Sequence, residues 1–225
     1  MRRMAFVFSA LLALALLAPV TAMAQAAQSR LRVMHDSPDA GTVDVFVDGE
    51  RAFQNVPYST TTDYQSVPPG QHRVQVAPAG KSANKSVIDV TIDLRRGTPY
   101  TVLALGKLAN IKGQLLADTN KVPPAGNARV RIVHAAAGVG PVDVYPSGSE
   151  TPVLTSQYFG SADYINIPAG TYAFDVKLAG SSETVLTSQQ LRFEAGWVYS
   201  LVVTQPTTGD AKPLVRASVD RIAPT

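Results

Sequence analysis

The sequence predicts an all-β protein of two tandem Greek-key β-sandwich domains behind a signal peptide. Three observations carry that reading. Apolar and polar residues alternate with period two over short runs. Turn signals punctuate those runs. The whole order then occurs twice along the 225 residues. Strands point successive side chains to opposite faces, so period two marks half-buried strands, and many short strands between turns mark a sandwich.

The repeat is read residue by residue. Arg30-Leu-Arg-Val-Met-His35 returns as Arg129-Val-Arg-Ile-Val-His134, and Gly41-Thr-Val-Asp-Val-Phe46 as Gly140-Pro-Val-Asp-Val-Tyr145. Asp63-Tyr64 returns as Asp163-Tyr164, Val67-Pro-Pro-Gly70 as Ile167-Pro-Ala-Gly170, and Gly97-Thr-Pro-Tyr100 as Gly196-Trp-Val-Tyr199. The copies run over residues 28–122 and 127–225, and 123–126 (Pro-Pro-Ala-Gly) make a short, stiff connector. Copies of roughly 100 residues are long enough to bury a core each, so separate folding is the expectation.

Within a copy, Ile88, Val90, Ile92 and Leu94 alternate with Asp89, Thr91 and Asp93, and Val74 and Val76 with Arg73 and Gln75. In the second copy Tyr172, Phe174 and Val176 alternate with Ala173 and Asp175. Seven or eight short strands per copy follow. Asp48-Gly49 suits a tight hairpin, and Pro69-Gly70 and Ala169-Gly170 suit turns with glycine at positive φ. Leu94-x-x-Gly97-x-x-Tyr100 and Phe193-x-x-Gly196-x-x-Tyr199 place a tyrosine after a turn glycine at the start of an apolar strand. That is the pattern of a tyrosine corner, with Tyr100 and Tyr199 bonding nearby backbone; a plain interior tyrosine is the alternative.

Residues 1–24 carry Arg2 and Arg3, an apolar stretch over 5–20 and Ala22-Met-Ala24 before Gln25, the layout of a cleaved secretory signal. A membrane anchor is the competing reading, but that stretch is short against the roughly 20 residues a span needs. No later run is apolar enough to cross, so the mature chain has no transmembrane span. Export places the protein in the periplasm, on the cell surface or in the medium. Removing Arg2 and Arg3 from 20 basic residues leaves 18 against 17 acidic ones, and no basic cluster remains to displace nucleic-acid counterions. There is no cysteine, which excludes disulfides, thiolate metal sites and cysteine nucleophiles.

No zincin helix, nucleophile elbow or phosphate loop is present, so no catalytic, cofactor or metal residue is assigned. Asp44-x-x-x-Asp48-Gly49 resembles a calcium loop in part, but Phe46 and the flanking valines make it a strand. His72 is matched by Tyr172, which does not support a chemical role shared by both copies. His35 with Asp44, and His134 with Asp143, recur nine residues apart and form candidate structural pairs. An ion pair there would raise the folded His pKa above its ordinary value of about 6.5. Tyr58, Asp63, Tyr64, Tyr158, Asp163 and Tyr164 fall in matching loop or edge regions and form a candidate ligand surface, suited to stacking on sugars.

The histidine ending the first strand, the Gly-x-Val-Asp-Val-(Phe/Tyr) strand and the turn that follows Tyr64 and Tyr164 resemble a secreted bacterial family, domain of unknown function 4397 (DUF4397). The resemblance covers nearly all of the mature chain as two copies and implies export and an immunoglobulin-like fold, with no activity attached. The second copy departs from it at Pro146-Ser-Gly148, which replaces Asp48-Gly49. Three functional readings stand: a non-enzymatic envelope binding, adhesion or structural protein with a protein or glycan ligand; a carbohydrate-recognition module using the Tyr/Asp surface; and, last, a His/Asp enzyme. No cofactor is expected.

Overall fold

The computed structural model describes residues 28–119, 121–136, 138–156, 160–161, 163–205 and 213–220. The expected signal segment, residues 1–24, and Tyr158 lie outside the described residues. The first copy forms β1 (Ser29–Asp36), β2 (Val43–Val47), β3 (Glu50–Val56), β4 (Thr60–Thr61), β5 (Gln65–Val67), β6 (Gly70–Pro78), β7 (Ile88–Leu94), β8 (Pro99–Leu105) and β9 (Lys112–Ala117). The second forms β10 (Asn127–His134), β11 (Val142–Pro146), β12 (Leu154–Ser156), β13 (Ile165–Pro168), β14 (Gly170–Tyr172), β15 (Phe174–Leu178), β16 (Thr184–Thr187), β17 (Leu191–Phe193), β18 (Val198–Thr204) and β19 (Leu214–Val219). Strands dominate, and the helical pieces among the described residues are two short 3-10 turns.

Each copy is a sandwich of two sheets. In the first, β4-β1-β8-β9, with β5 also on β1, packs on β3-β2-β6-β7. In the second, β13-β10-β18-β19 packs on β12-β11-β15-β16, and β14 pairs with β17. β1 runs parallel to β8 and β10 to β18, while the other pairings are antiparallel. The first core holds Leu31, Val33, Val102 and Ala104 from one sheet against Val45, Val74 and Val76 from the other. Val130, Ile132, Leu201 and Val203 face Val144, Phe174 and Val176 in the second.

Two strands in each copy are buried on both faces. Every residue of β8 and β18 is buried. The side chains pointing away from the sandwich cores meet across the two copies: Met34, Leu103, Leu105 and Leu116 from the first cluster with Val133, Ala135 and Val202 from the second. Burying a side chain of this size stabilises by about 1.5–3 kcal/mol. Besides the two-stranded β14-β17 pair, the described residues thus form four sheets in succession, with a seam between the two central ones. The copies do not share a sheet, but each carries a seam face that a separated copy would expose.

The strands outnumber the seven or eight expected per copy because some are split. The counterpart of β6 breaks at Ala173 into β14 and β15, where Phe174 N–H donates to Ser188 Oγ (2.9 Å) and Ser188 N–H to Phe174 O (2.8 Å). Asp48 and Gly49 both take positive φ (52° and 86°), the type I′ geometry that matches strand twist. The second copy turns instead at Pro146, whose carbonyl accepts from Ser149 N–H, and β12 begins only at Leu154. Gly70 takes φ 129°, whereas Gly170 is not at positive φ.

Tyr100 Oη accepts from Arg95 N–H and Tyr199 Oη from Glu194 N–H, both at 3.1 Å, closing the turn before each inner strand. Both tyrosines are 6% exposed, so the acceptor's loss leaves a desolvated donor. Tyr100→Phe and Tyr199→Phe should each lower whole-chain stability by about 1 kcal/mol or more, read from denaturant midpoints. Negligible shifts in both would show that these hydroxyls do not hold their turns.

Candidate functional site at the seam between the repeats

Period two decides what enters the seam. On β1, Leu31 and Val33 face the sandwich core, so Arg32 points the other way; on β8, Thr101 lies between core-facing Tyr100 and Val102. Asp118 follows the end of β9 and is pinned there by its N–H to Pro99 O (2.8 Å). The same geometry puts Arg131, Ser200 and Asp220 on the second copy's seam face.

These six residues close a buried ring with pseudo-twofold symmetry. Arg32 Nη2 donates to Asp220 Oδ1, Nη1 to Val219 O (2.7 Å), and Nε to Thr101 Oγ1 (2.8 Å). Arg131 mirrors it, with Nη2 to Asp118 Oδ1, Nη1 to Ala117 O (3.2 Å), and Nε to Ser200 Oγ (2.8 Å). Each hydroxyl passes the chain on to its own copy's carboxylate: Thr101 to Asp118 at 2.5 Å, Ser200 to Asp220 at 2.6 Å. Each guanidinium therefore crosses to the other repeat. The second approaches are longer, Arg32 Nε to Asp118 at 3.7 Å and Arg131 Nε to Asp220 at 3.6 Å.

The ring carries two positive and two negative charges, with side chains 0–2% exposed. Burial opposes the Arg32 charge, but Asp220, Tyr64 and Asp118 outweigh it and hold the guanidinium above its ordinary pKa. Arg131 is raised in the same way by Asp220, Tyr164 and Asp118. Tyr64 Oη donates to Asp118 Oδ2 (2.6 Å), and Tyr164 Oη to Asp220 Oδ2 (2.8 Å). Burial first, and then the facing carboxylates, push both phenols well above their usual range, so they remain donors. The guanidinium carbons lie 4.6 and 4.7 Å from the Tyr64 and Tyr164 ring centroids, a cation–π contact.

One end of the seam breaks the symmetry. Arg216 Nη2 donates to buried Asp36 Oδ2 (2.6 Å) and Nη1 to Thr61 Oγ1 (3.0 Å). Tyr58 Oη lies 2.9 Å from Thr204 Oγ1 and also donates to Gln205 O.

The expected His/Asp pairing is corrected. His35 Nε2 donates to Gly41 O (2.7 Å), and its Nδ1 lies 3.4 Å from Ser37 N–H. Asp44 accepts from Asn55 N–H (2.8 Å) and Gly80 N–H (2.9 Å), with Arg51 Nε at 3.4 Å. His134 Nε2 likewise donates to Gly140 O (2.8 Å), while Asp143 accepts from Thr155 Oγ1 (2.6 Å) and Gly180 N–H (3.4 Å). The reason is parity between sheets. His35 shares its face of β1 with core residues Leu31 and Val33, whereas Asp44 alternates with core residues Val43 and Val45 and so sits on the outer face of the opposite sheet. His72 faces Asp48 Oδ2 (2.6 Å) and Pro68 O (2.8 Å), and its counterpart Tyr172 donates to Pro168 O (3.0 Å).

The candidate sugar-stacking residues are divided between the surface and the seam. Asp63 and Asp163 are exposed, but Tyr64 and Tyr164 are turned into the seam, with hydroxyls engaged and a face covered, and Tyr58 bridges to the other copy. Sequence reasoning missed Arg32, Asp36, Thr101, Asp118, Arg131, Ser200, Arg216 and Asp220. A signal was present: Val102-Leu-Ala-Leu105 and Leu201-Val-Val203 are continuous apolar runs rather than alternating ones, the mark of strands covered on both faces.

The family described as "Domain of unknown function (DUF4397)" matches residues 29–145 and again 137–224. No curated protein matches the chain. Among solved structures it is similar to the Bacillus anthracis TIE protein, at 14% identity and TM-score 0.25, over 79% of this chain and 34% of that one. It thus spans about a third of that protein's length. It is also similar to a family CBM26 module of Eubacterium rectale Amy13K solved with maltoheptaose, at 13% identity, TM-score 0.28 and coverage of 87% and 98%. A third likeness is to a Bacteroides ovatus protein described as a putative cell adhesion protein, at 9% identity, TM-score 0.24 and coverage of 89% and 99%.

Breaking one buried pair strands a charge, while removing both partners does not. Asp118→Asn and Arg131→Met should each lower whole-chain stability by about 3–5 kcal/mol, and the double variant by far less than the sum. Additive losses would show that the ring members act independently. Burial, only partly offset by the Gly41 carbonyl, lowers the His35 pKa, and burial lowers that of His134. Unfolded chains then bind protons that the fold does not, so stability is full above about pH 6.5 and falls as pH drops through the depressed folded values. His35→Gln with His134→Gln should flatten the stability profile between about pH 7 and 5. A profile as steep as wild type would mean the acid sensitivity lies elsewhere.

Proposed function

The chain belongs to the DUF4397 family, and we propose that it is a non-enzymatic extracytoplasmic binding or adhesion protein whose two sandwiches are locked into one rigid body. The secretory pattern of residues 1–24 supports the compartment. Among the described residues no helix is long and apolar enough to cross a membrane.

The observation that carries the reading is the repeated pinning of one loop end. In both copies a buried histidine holds the loop after the first strand, through Gly41 O or Gly140 O. In both, the aspartate of β2 or β11 holds the turn after β6 or β15, through Gly80 N–H or Gly180 N–H. The two loops of a copy are neighbours, since Ala79 N–H donates to Thr42 O and Ala179 N–H to Pro141 O (both 2.9 Å). Loops held by a rigid scaffold are where recognition is built. The ring's charged groups are meanwhile engaged with one another, which leaves them poorly suited to proton transfer.

Wild type should bind isolated cell envelopes or members of a glycan array. Replacing residues 38–41 with 81–86, and 138–140 with 181–183, by Gly/Ser segments should abolish that binding while keeping one cooperative melting transition, lowered by the loss of Ala40 and Val139 from the core edges. Binding that survives both replacements would remove the loops from the proposal. Turnover in a hydrolase panel that His35→Gln abolishes would overturn the non-enzymatic reading.

A further inference from the structure

The ring is the same from either side. Arg32 crosses to Asp220 as Arg131 crosses to Asp118, and Thr101 and Ser200 play matching parts. A face of that kind is self-complementary, as in an isologous dimer. Two first repeats, or two second repeats, would complete the ring as well as one of each. The ring therefore holds faces together without choosing between them.

The asymmetric end does choose. Asp36 is fully buried against Arg216. The registers equate His35 with His134, and Ala117 opposite Tyr100 with Val219 opposite Tyr199, so the positions matching Asp36 and Arg216 are Ala135 and Gln114. Thr204, which meets Tyr58, is matched by Leu105. We propose that Asp36–Arg216, supported by Tyr58–Thr204, is a specificity device: the seam face of the first repeat accepts a second-repeat face and rejects another first repeat. Pairing two first repeats would bury two Asp36 carboxylates against Gln114, with no cation. Pairing two second repeats would bury two Arg216 side chains against alanine. Stranded buried charges of this kind are how interfaces exclude wrong partners. The device stops like sandwich faces of different chains from pairing with one another.

The test uses the full chain with a protease site in residues 121–126, cleaved after folding. The halves are allowed to exchange under mild denaturant and their pairing is read by native mass spectrometry. Wild-type halves should remain paired, with like pairs at least about tenfold rarer than the one-half share that random exchange gives. Asp36→Ala with Arg216→Gln installs the residue types already present at the opposite end, and should bring the distribution to the random share. Asp36→Arg with Arg216→Asp restores opposite charges and should restore the bias. Wild-type halves that separate or pair at random would overturn the proposal, as would a bias undiminished in the Ala/Gln variant. If the exchanged-charge variant does not fold, wild type and the Ala/Gln variant still decide.

Discussion

The structure depends on one requirement: the guanidiniums and carboxylates of the ring, removed from water, must be paired with one another. Arg32 and Asp118 belong to the same repeat but are satisfied by Asp220 and Arg131 of the other. Neither repeat can bury its own charges alone. Because desolvating an unpaired charge costs several kcal/mol, the ring forms whole or not at all. The hydroxyls of Thr101 and Ser200 and the phenols of Tyr64 and Tyr164 fill the remaining carboxylate positions, and this completes what the guanidiniums begin.

That requirement organises the layers around it. The ring can stay dry only if apolar side chains surround it, and Met34, Leu103, Leu105, Leu116, Val133 and Val202 do so. β1, β8, β10 and β18 are therefore central strands twice over, lining a sandwich core on one face and the seam on the other. The outer sheets have one face on a sandwich core and the other largely toward solvent, although Asp44, Phe46 and Gln75 are buried on that second face. β6 and β7 keep their alternation, with Arg73 and Asp89 paired at 2.5 Å on the solvent side. The irregular features of the second copy, its split strands and its altered first hairpin, also fall in the outer sheet, where a break disturbs one core rather than two.

The loop pins follow the same logic at smaller scale. A buried histidine in a sandwich core, or a buried or half-buried aspartate on a sheet's outer face, must find a partner, and here it is the backbone of an adjoining loop. His35 and Asp44 thus order two neighbouring loops instead of each other, and His134 and Asp143 repeat the arrangement. Polar residues inside the fold become the means by which its surface is fixed.

The sequence by itself determined the local structure and the duplication. Period-two runs such as Ile88-Asp-Val-Thr-Ile-Asp-Leu94 fold as strands because alternation is a property of the chain, readable before any partner is known. Asp48-Gly49 fixes its own turn for the same reason. Tertiary structure alone decided which faces are covered. Arg32 between Leu31 and Val33, and Tyr64 beside Asp63, read as solvent-facing polar positions, and nothing local distinguishes water from a second sandwich as their neighbour. Whether His35 meets Asp44 depends on which sheet each strand joins, and whether Asp36 is paired depends on Arg216, 180 residues away. Alternation along a strand is set by neighbouring bonds, but the partner of a buried charge is set by long-range packing.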